Sequence, residues 1–262
     1  MTELRAFIIE TAKEAGKIML EAVDIKKKQQ EKSGDYNPVT AYDVAVQNFL
    51  FSALKKRLPE AKFIGEEVGT DTPTPLAHGY SFIIDPIDGT TNFIQNYRHS
   101  CTSIALLKDG APYIGVVYNP YSGDIFSAEA GQGAWLNGEP IHASDRPLEE
   151  NLVGFGTSPY YRHIPHYFDG TFEVLQKLYP HCQDLRRSGS AALDLCYVAC
   201  GRTGLFFELI LSPYDFAAAS LIVQETGGVA TQMDGSPLDF SCGVSVLAAG
   251  PAAYREYFDI TK

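Results

Sequence analysis

The sequence predicts a mixed α/β protein with two unlike halves, and three observations carry that reading. Helical periodicity dominates the N-terminal region, short strands parted by turn clusters follow from Ser100, and strands alternate with helices from about Asn151. At 262 residues the chain suffices for one large domain or two closely packed ones. No repeat, low-complexity segment or flexible linker parts the halves. One domain over 1–262 is therefore expected, with subdomains at 1–150 and 151–262.

Leu4, Ile8, Ala12, Ala15, Met19 and Val23 recur at helical spacing, so the chain begins with an amphipathic helix. Glu31 to Pro38 is rich in breakers and reads as a loop. A second helix starts near Thr40, with Val46, Phe49, Leu50 and Leu54 on one side and Pro59 after its end. Ala61–Ile64 reads as a short strand, Thr70–His78 as a polar loop, and Tyr80–Ile84 as a buried strand. Thr102–Lys108, Tyr113–Tyr118 and Asp124–Glu129 form an antiparallel meander that continues through Gly131–Gly138. Beyond it, strands are expected at Leu152–Gly156, Cys182–Arg187, Leu205–Ile210 and Val244–Ala249. Helices are expected around Phe168, Phe172, Leu175 and Leu178, from Ser190 to about Cys200, and over Ser212–Thr226.

The formal net charge of −11 argues against a general nucleic-acid binder, because neutralising phosphates needs clustered Lys and Arg. Lys26-Lys27-Lys28, the dense basic run, reads as solvated surface. The five cysteines are scattered without a C-x-x-C pair and read as buried free thiols of a reducing cytoplasm. The charged first twenty residues are not a signal peptide, and no apolar run reaches membrane-spanning length, so no membrane partner is expected. The six histidines have no metal-ligand spacing, and His163 and His166 read as surface. Nucleotide-kinase, serine-hydrolase and dinucleotide-binding motifs are absent from the sequence.

The chemistry concentrates in Asp85-Pro-Ile-Asp88-Gly-Thr-Thr-Asn-Phe93, at the end of the Tyr80–Ile84 strand. Two carboxylates three residues apart would repel and be costly to desolvate without a cation. Gly89, Thr90, Thr91 and Asn92 suit a tight turn into a helix start, so a hard divalent metal with a phosphate beside it is the first reading. An Asp-rich capping turn would use the same residues. Glu66 and Glu67 end the preceding strand and are either a pair of exposed loop carboxylates or a source of one more ligand. Ile87 would contribute only its carbonyl oxygen. Asp43 and Asp215 each stand three residues after a Thr or Ser, where capping alone explains them, although a first-turn carboxylate can also face a site. Gly189, Ser190 and Ala191 join a strand end to a helix start through small residues, and their amides suit either a ligand or close packing. Glu208 interrupts an apolar strand, so it lies at an exposed edge or points into a polar pocket.

Together these residues resemble the inositol monophosphatase family of magnesium-dependent, lithium-sensitive phosphatases over nearly the whole chain. Asp85–Phe93 fits its first signature, Gly65-Glu66-Glu67 its upstream acidic motif, and Ser212-Pro-Tyr-Asp-Phe-Ala-Ala218 through Gly228 its second, with Tyr214 in place of the usual Trp. Arg186–Leu195 is similar to the bacterial branch. The resemblance implies a layered αβαβα sandwich, a cytoplasmic homodimer and two or three Mg2+ per site, with Mn2+ as a substitute. Glu66, Asp85, Asp88, Asp215 and the Ile87 carbonyl would hold the metals. Thr90 with Asp43 behind it would orient the attacking water, Glu66 would also hold a third, weaker magnesium through waters as well as serving in catalysis, and the Gly89 and Thr90 amides would bind phosphate. Asp88, Gly189, Ser190, Ala191 and Glu208 would face the substrate, a small phosphorylated polyol. Lys32 takes the family's loop position near the metals. The implied activity is inositol-phosphate hydrolysis by in-line water attack. Alternatives are 3′-phosphoadenosine 5′-phosphate, fructose 1,6-bisphosphate or histidinol phosphate as substrate, or a non-catalytic scaffold that keeps the fold.

Overall fold

The structure, a computed structural model, describes residues 1–31, 38–67, 74–75, 77–158, 161 and 164–262. Lys32, His163 and most of the Thr70–His78 loop lie outside the described residues. Helix α1 (Glu3–Leu20) starts on a Thr2 cap and buries Ile8, Ala12, Ala15 and Met19. It ends before Val23, which is exposed. Strands β1 (Gln29–Glu31) and β2 (Pro38–Thr40) pair antiparallel, so the expected loop is flanked by a short ribbon. Helix α2 (Ala41–Arg57) begins with a capping box made by Thr40 and Asp43.

A seven-stranded sheet follows in sequence order: β3 (Lys62–Gly65), β4 (Tyr80–Asp88), β5 (Cys101–Lys108), β6 (Ala111–Tyr118), β7 (Ile125–Glu129), β8 (Gly133–Leu136) and β9 (Glu139–Pro140). Only β3 and β4 run parallel, and the rest is the expected meander. A short helix, α3 (Thr90–Ile94), sits between β4 and β5.

The second sheet is built from β10 (Leu152–Phe155), β11 (Asp184–Arg186), β12 (Leu205–Leu211), β13 (Val229–Thr231) and β14 (Val244–Ala249), in spatial order β11-β10-β12-β14-β13. Its helices are α4 (Pro165–Leu178), α5 (Ala191–Ala199), α6 (Pro213–Glu225) and α7 (Pro251–Thr261). Strand β13 and helix α7 have no counterpart in the sequence reading. The inner stripe of α4 is Thr171, Leu175 and Leu178, whereas Phe168 and Phe172 are exposed, their rings tilted against each other with centroids 5.0 Å apart.

Alternation along the strands fixes the layers. Phe82, Ile84, Ile104 and Leu106 face α1 and α2, while Ile83, Ala105 and Leu107 face α5 and α6. Across the second sheet Phe206 and Ala248 face α5 and α6, while Phe207 and Leu247 face α4 and α7. Both sheets are thus covered on both sides, which is why their strands read as unbroken apolar runs. The result is the expected αβαβα sandwich. Its central helical layer is thin: Ala217, Ala218, Ala219 and Ser220 of α6 are all buried, and a side chain at Gly115 of β6 would strike the Ala218 carbonyl. Of the cysteines, Cys101 and Cys196 are buried as expected but Cys242 is exposed, in the loop leading to β14. Among the described residues no helix is long and apolar enough to cross a membrane.

Candidate active site

Residues an odd number apart on a strand face opposite ways, so Asp85 and Asp88 need a device to share a side. Strand β4 supplies a bulge. Asp85 pairs with Ser103 and Asp88 with Cys101, so Pro86 and Ile87 oppose Thr102 alone. Pro86 lacks an N–H and suits such a place, and its carbonyl accepts from Thr102 Oγ1 at 2.9 Å. The Ile87 amide donates to Asp85 Oδ1 at 3.0 Å. The strand therefore runs through the acidic motif rather than stopping before it. Gly89 then takes φ +84 and caps α3.

Asp215 arrives from the first turn of α6, where the Ser212 amide donates to its Oδ2 at 2.8 Å. Capping occupies one oxygen and leaves the other for the cavity. Carboxylate oxygens of Asp85, Asp88 and Asp215 lie within 4.8 Å of one another. Glu66, one residue beyond β3, lines the same cavity but stands outside that close set. Glu67 is buried and its amide donates to Gln47 Oε1 at 3.0 Å, so the pair is not two exposed loop acids. Thr90 Oγ1 reaches the Ile87 carbonyl at 3.1 Å and Asp43 Oδ1 at 3.4 Å. Asp43 Oδ2 also caps α2, accepting from the Thr40 amide at 2.7 Å.

The opposite wall comes from the second half of the chain. Gly189 takes φ +90 and its carbonyl approaches Gly89 so closely that a Cβ at residue 89 would stand 3.1 Å from it. Asn92 ties the two turns, donating to the Ser188 carbonyl at 2.9 Å and the His99 carbonyl at 2.8 Å. Asp88 Oδ2 accepts from Ser190 Oγ at 2.5 Å, the Ala192 amide at 2.9 Å and the Cys101 thiol at 3.6 Å. The Ser190 amide, expected to face a ligand, instead donates to Ser188 Oγ at 3.2 Å. Glu208 lies on β12, the central strand of its sheet, so the edge reading fails and it points into the cavity.

The cavity measures about 240 Å³. Among the described residues six carboxyl side chains line it (Glu66, Asp85, Asp88, Asp194, Glu208 and Asp215) against one cation, Arg187. Burial pushes Asp88 up to about 6 despite its hydrogen bonds, with Glu66 adding to the rise. Asp215 is raised first by burial and then by Asp88 and Glu66. Burial takes Glu208 to about 7 and Asp194 to about 8. Closely set buried oxygen donors that resist ionisation fit a hard divalent cation, which would reverse these shifts.

Asp194, Arg187, Ser158 and Cys101 are absent from the sequence-derived site. Asp194 accepts from Ser188 Oγ at 2.7 Å and so braces the Ser188–Ser190 turn. The one available signal was an acid in the first turn of α5.

The model of the inositol monophosphatase family matches residues 1–259. The chain belongs to that family. Inositol monophosphatase 3 of Solanum lycopersicum is 39% identical to this family member over 89% of the chain and 87% of its own length. The Nus factor SuhB of Salmonella typhimurium is 37% identical over 97% and 94%. The crystal structure of extragenic suppressor protein suhB from Bartonella henselae superposes with a TM-score of 0.90 at 30% identity, covering 100% of this chain and 99% of that one. This inositol monophosphatase family chain therefore shares both sequence and fold with relatives along nearly its full length.

Proposed function

We propose that the protein is a metal-dependent phosphomonoesterase acting on inositol monophosphate or a closely similar polyol phosphate. The observation that carries the reading is the convergence of six carboxyl groups on one cavity, three with oxygens within 4.8 Å. A phosphate monoester dianion cannot approach that array without cations. Asp85, Asp88, Asp215, Glu66 and the Ile87 carbonyl are the residues that would hold them. Magnesium, or manganese in its place, would supply positive charge to neutralise the phosphate and acidify the attacking water.

The chain's own groups do the positioning. Thr90 Oγ1 stands 3.1 Å from the Ile87 carbonyl and 3.4 Å from Asp43 Oδ1; with its one proton given to either, a lone pair is left that would receive a hydrogen from the attacking water. Ser190 and Ala192 fix the Asp88 carboxylate in place. The phosphate meets the Gly89–Thr90 end of α3, and the alcohol lies toward Glu208 and the Gly189–Ala191 turn. The net reaction takes one water and returns an alcohol and inorganic phosphate. Glu208, a buried acceptor on the cavity wall, favours a polyol leaving group, and among the described lining residues Arg187 alone is cationic, which offers little for a second phosphate.

The test is phosphate release from a panel containing inositol 1-phosphate, fructose 1,6-bisphosphate, 3′-phosphoadenosine 5′-phosphate and histidinol phosphate, with magnesium and then added lithium. The expected ranking puts the inositol ester first, with lithium inhibition. Metal-independent turnover, or none at all, refutes the reading. The relatives named Nus factor SuhB favour a second reading, a non-catalytic scaffold or regulatory role that keeps the fold. A turnover-dead Asp88→Asn protein that still restores growth in a deletion strain would support it.

A further inference from the structure

We propose that Asp194 is a positioning residue for metal binding, which through Ser188 keeps the Ser190 hydroxyl on Asp88 and off its own helix. The proposal rests on the metal-dependent reading above and adds to it two residues that touch no metal.

Helix α5 starts in an unusual way. Ser190 is its N-cap, with extended backbone at φ −138 and ψ 102. A serine hydroxyl there ordinarily accepts from an amide of the first turn, but the Ser190 side chain makes no capping bond. Its Oγ donates instead to Asp88 Oδ2 at 2.5 Å. The same oxygen accepts from the Ala192 amide at 2.9 Å, 104 residues away in the chain. An acid from β4 thus caps α5 in place of the helix's own serine, with the positive end of the helix against its charge. The Cys101 thiol, at 3.6 Å, is the third donor to that oxygen. Three donors on Oδ2 fix the carboxylate and leave Oδ1 for a cation.

This arrangement has a competitor. A serine at an N-cap can turn inward and accept from its own first turn, which would take one donor from Asp88. A latch across the helix start prevents it. The Ser190 amide donates to Ser188 Oγ at 3.2 Å. Ser188 Oγ has one proton and two acceptors in reach, Asp194 Oδ2 at 2.7 Å and the Ser190 carbonyl at 3.5 Å. The shorter bond takes the proton and leaves the lone pairs of Ser188 for the Ser190 amide. Asp194, in the first turn of α5 and 4% exposed, therefore decides which way Ser188 faces. The Ser188 carbonyl accepts from Asn92 Nδ2 at 2.9 Å, which ties the latch to α3 as well. Without Asp194 the Ser188 hydroxyl turns to the Ser190 carbonyl, the Ser190 amide loses its acceptor, and Ser190 is released to cap its own helix.

The experiment titrates metal-stripped protein with Mn2+ and measures the free ion by electron paramagnetic resonance, a readout that needs no turnover. Wild type, Asp194→Ala, Asp194→Asn, Ser188→Ala and the Asp194→Ala/Ser188→Ala double variant are compared, each after a cooperative thermal transition in EDTA verifies its folding. Asp194→Ala is expected to weaken Mn2+ binding roughly tenfold, the effect of losing a partner that orients a metal ligand. Ser188→Ala should do the same, and the double variant should be no weaker than either, because the two residues form one latch. Asp194→Asn keeps an oxygen that accepts from Ser188 and should stay within about twofold of wild type. Ser188 is only half-buried, so Ser188→Ala carries the test if Asp194→Ala does not fold. Unchanged Mn2+ affinity in folded Ser188→Ala overturns the proposal, as do additive losses in the double variant. Asp194→Asn as weak as Asp194→Ala also overturns it, assigning the effect to charge. Wild-type protein that binds Mn2+ but releases no phosphate from any ester overturns the phosphomonoesterase reading alone, and wild-type protein that binds no Mn2+ overturns both.

Discussion

Replacing Asp88 with Asn separates what the carboxylate does for turnover from what it does to stability. In the folded chain the Asp88 carboxyl stands at about 6 against an ordinary 3.8, because burial outweighs the hydrogen bonds from Ser190, Ala192 and Cys101. An acid raised in this way holds its proton more tightly folded than unfolded. Its penalty is absent below about pH 4 and complete above about pH 6. The interval from 3.8 to about 6 corresponds to up to about 3 kcal/mol. Asparagine deletes the charge and keeps an oxygen that can still accept from Ser190 and Ala192. Metal-free Asp88→Asn is therefore expected to exceed wild type by up to about 3 kcal/mol at pH 8, with the gap closing towards pH 4. The same variant is expected to release no phosphate. Urea unfolding followed by the fluorescence of Trp135, the one tryptophan, in EDTA buffers at pH 4.5, 6 and 8 measures the gap. A variant no more stable than wild type at pH 8 refutes the claim of an electrostatically strained site, and wild-type turnover removes Asp88 from it.

Three further outcomes follow from the same geometry. Magnesium at a hundred times the Kd of one site at pH 8 should stabilise the protein by about 2.7 kcal/mol at that pH, and the same concentration should stabilise it less at pH 5, where protons compete for the carboxylates; differential scanning calorimetry checks both values. Gly156→Ala places a methyl where the Glu208 carboxylate lies, and steady-state kinetics should show kcat/KM on inositol 1-phosphate reduced about tenfold or more. Gly115→Ala drives a methyl into the Ala218 carbonyl and should lower stability by about 1–3 kcal/mol in urea unfolding.

The readable parts of the sequence were those with local causes. Ser212-Pro-Tyr-Asp215 announced the start of α6 because a capping box is written within four residues. The meander was legible because each turn carries its own glycine or proline. Strand β13 has three residues, too few to show a period, whereas α7 does carry a helical stripe in Ala253, Tyr254, Tyr257 and Phe258 that the reading of the sequence passed over. Phe168, Phe172, Leu175 and Leu178 marked α4 correctly, but apolar character alone did not say that the two phenylalanines lie on its exposed side. The acidic motif was plain, but its bulge was not: two residues opposing Thr102 is a property of β5 as much as of β4. Asp194, Ser158 and Arg187 became visible only when the second half of the chain folded over the first. Arg187 and Asp194 flank the Gly189–Ala191 turn already marked in the sequence, but nothing near Ser158 in the chain marks a cavity.

The close seating of α6 on β6 has a consequence for how harmful changes in this protein should be read. Asp215 sits in the first turn of that helix, and the helix has no side-chain cushion where it crosses Gly115. The missing methyl acts as a gauge block: it sets the height at which the carboxylate is presented, from a hundred residues away in sequence. A rigid rod resting on bare backbone transmits displacement along its length instead of absorbing it. Variants at Gly115 should therefore present in the laboratory as loss of activity before they present as loss of protein.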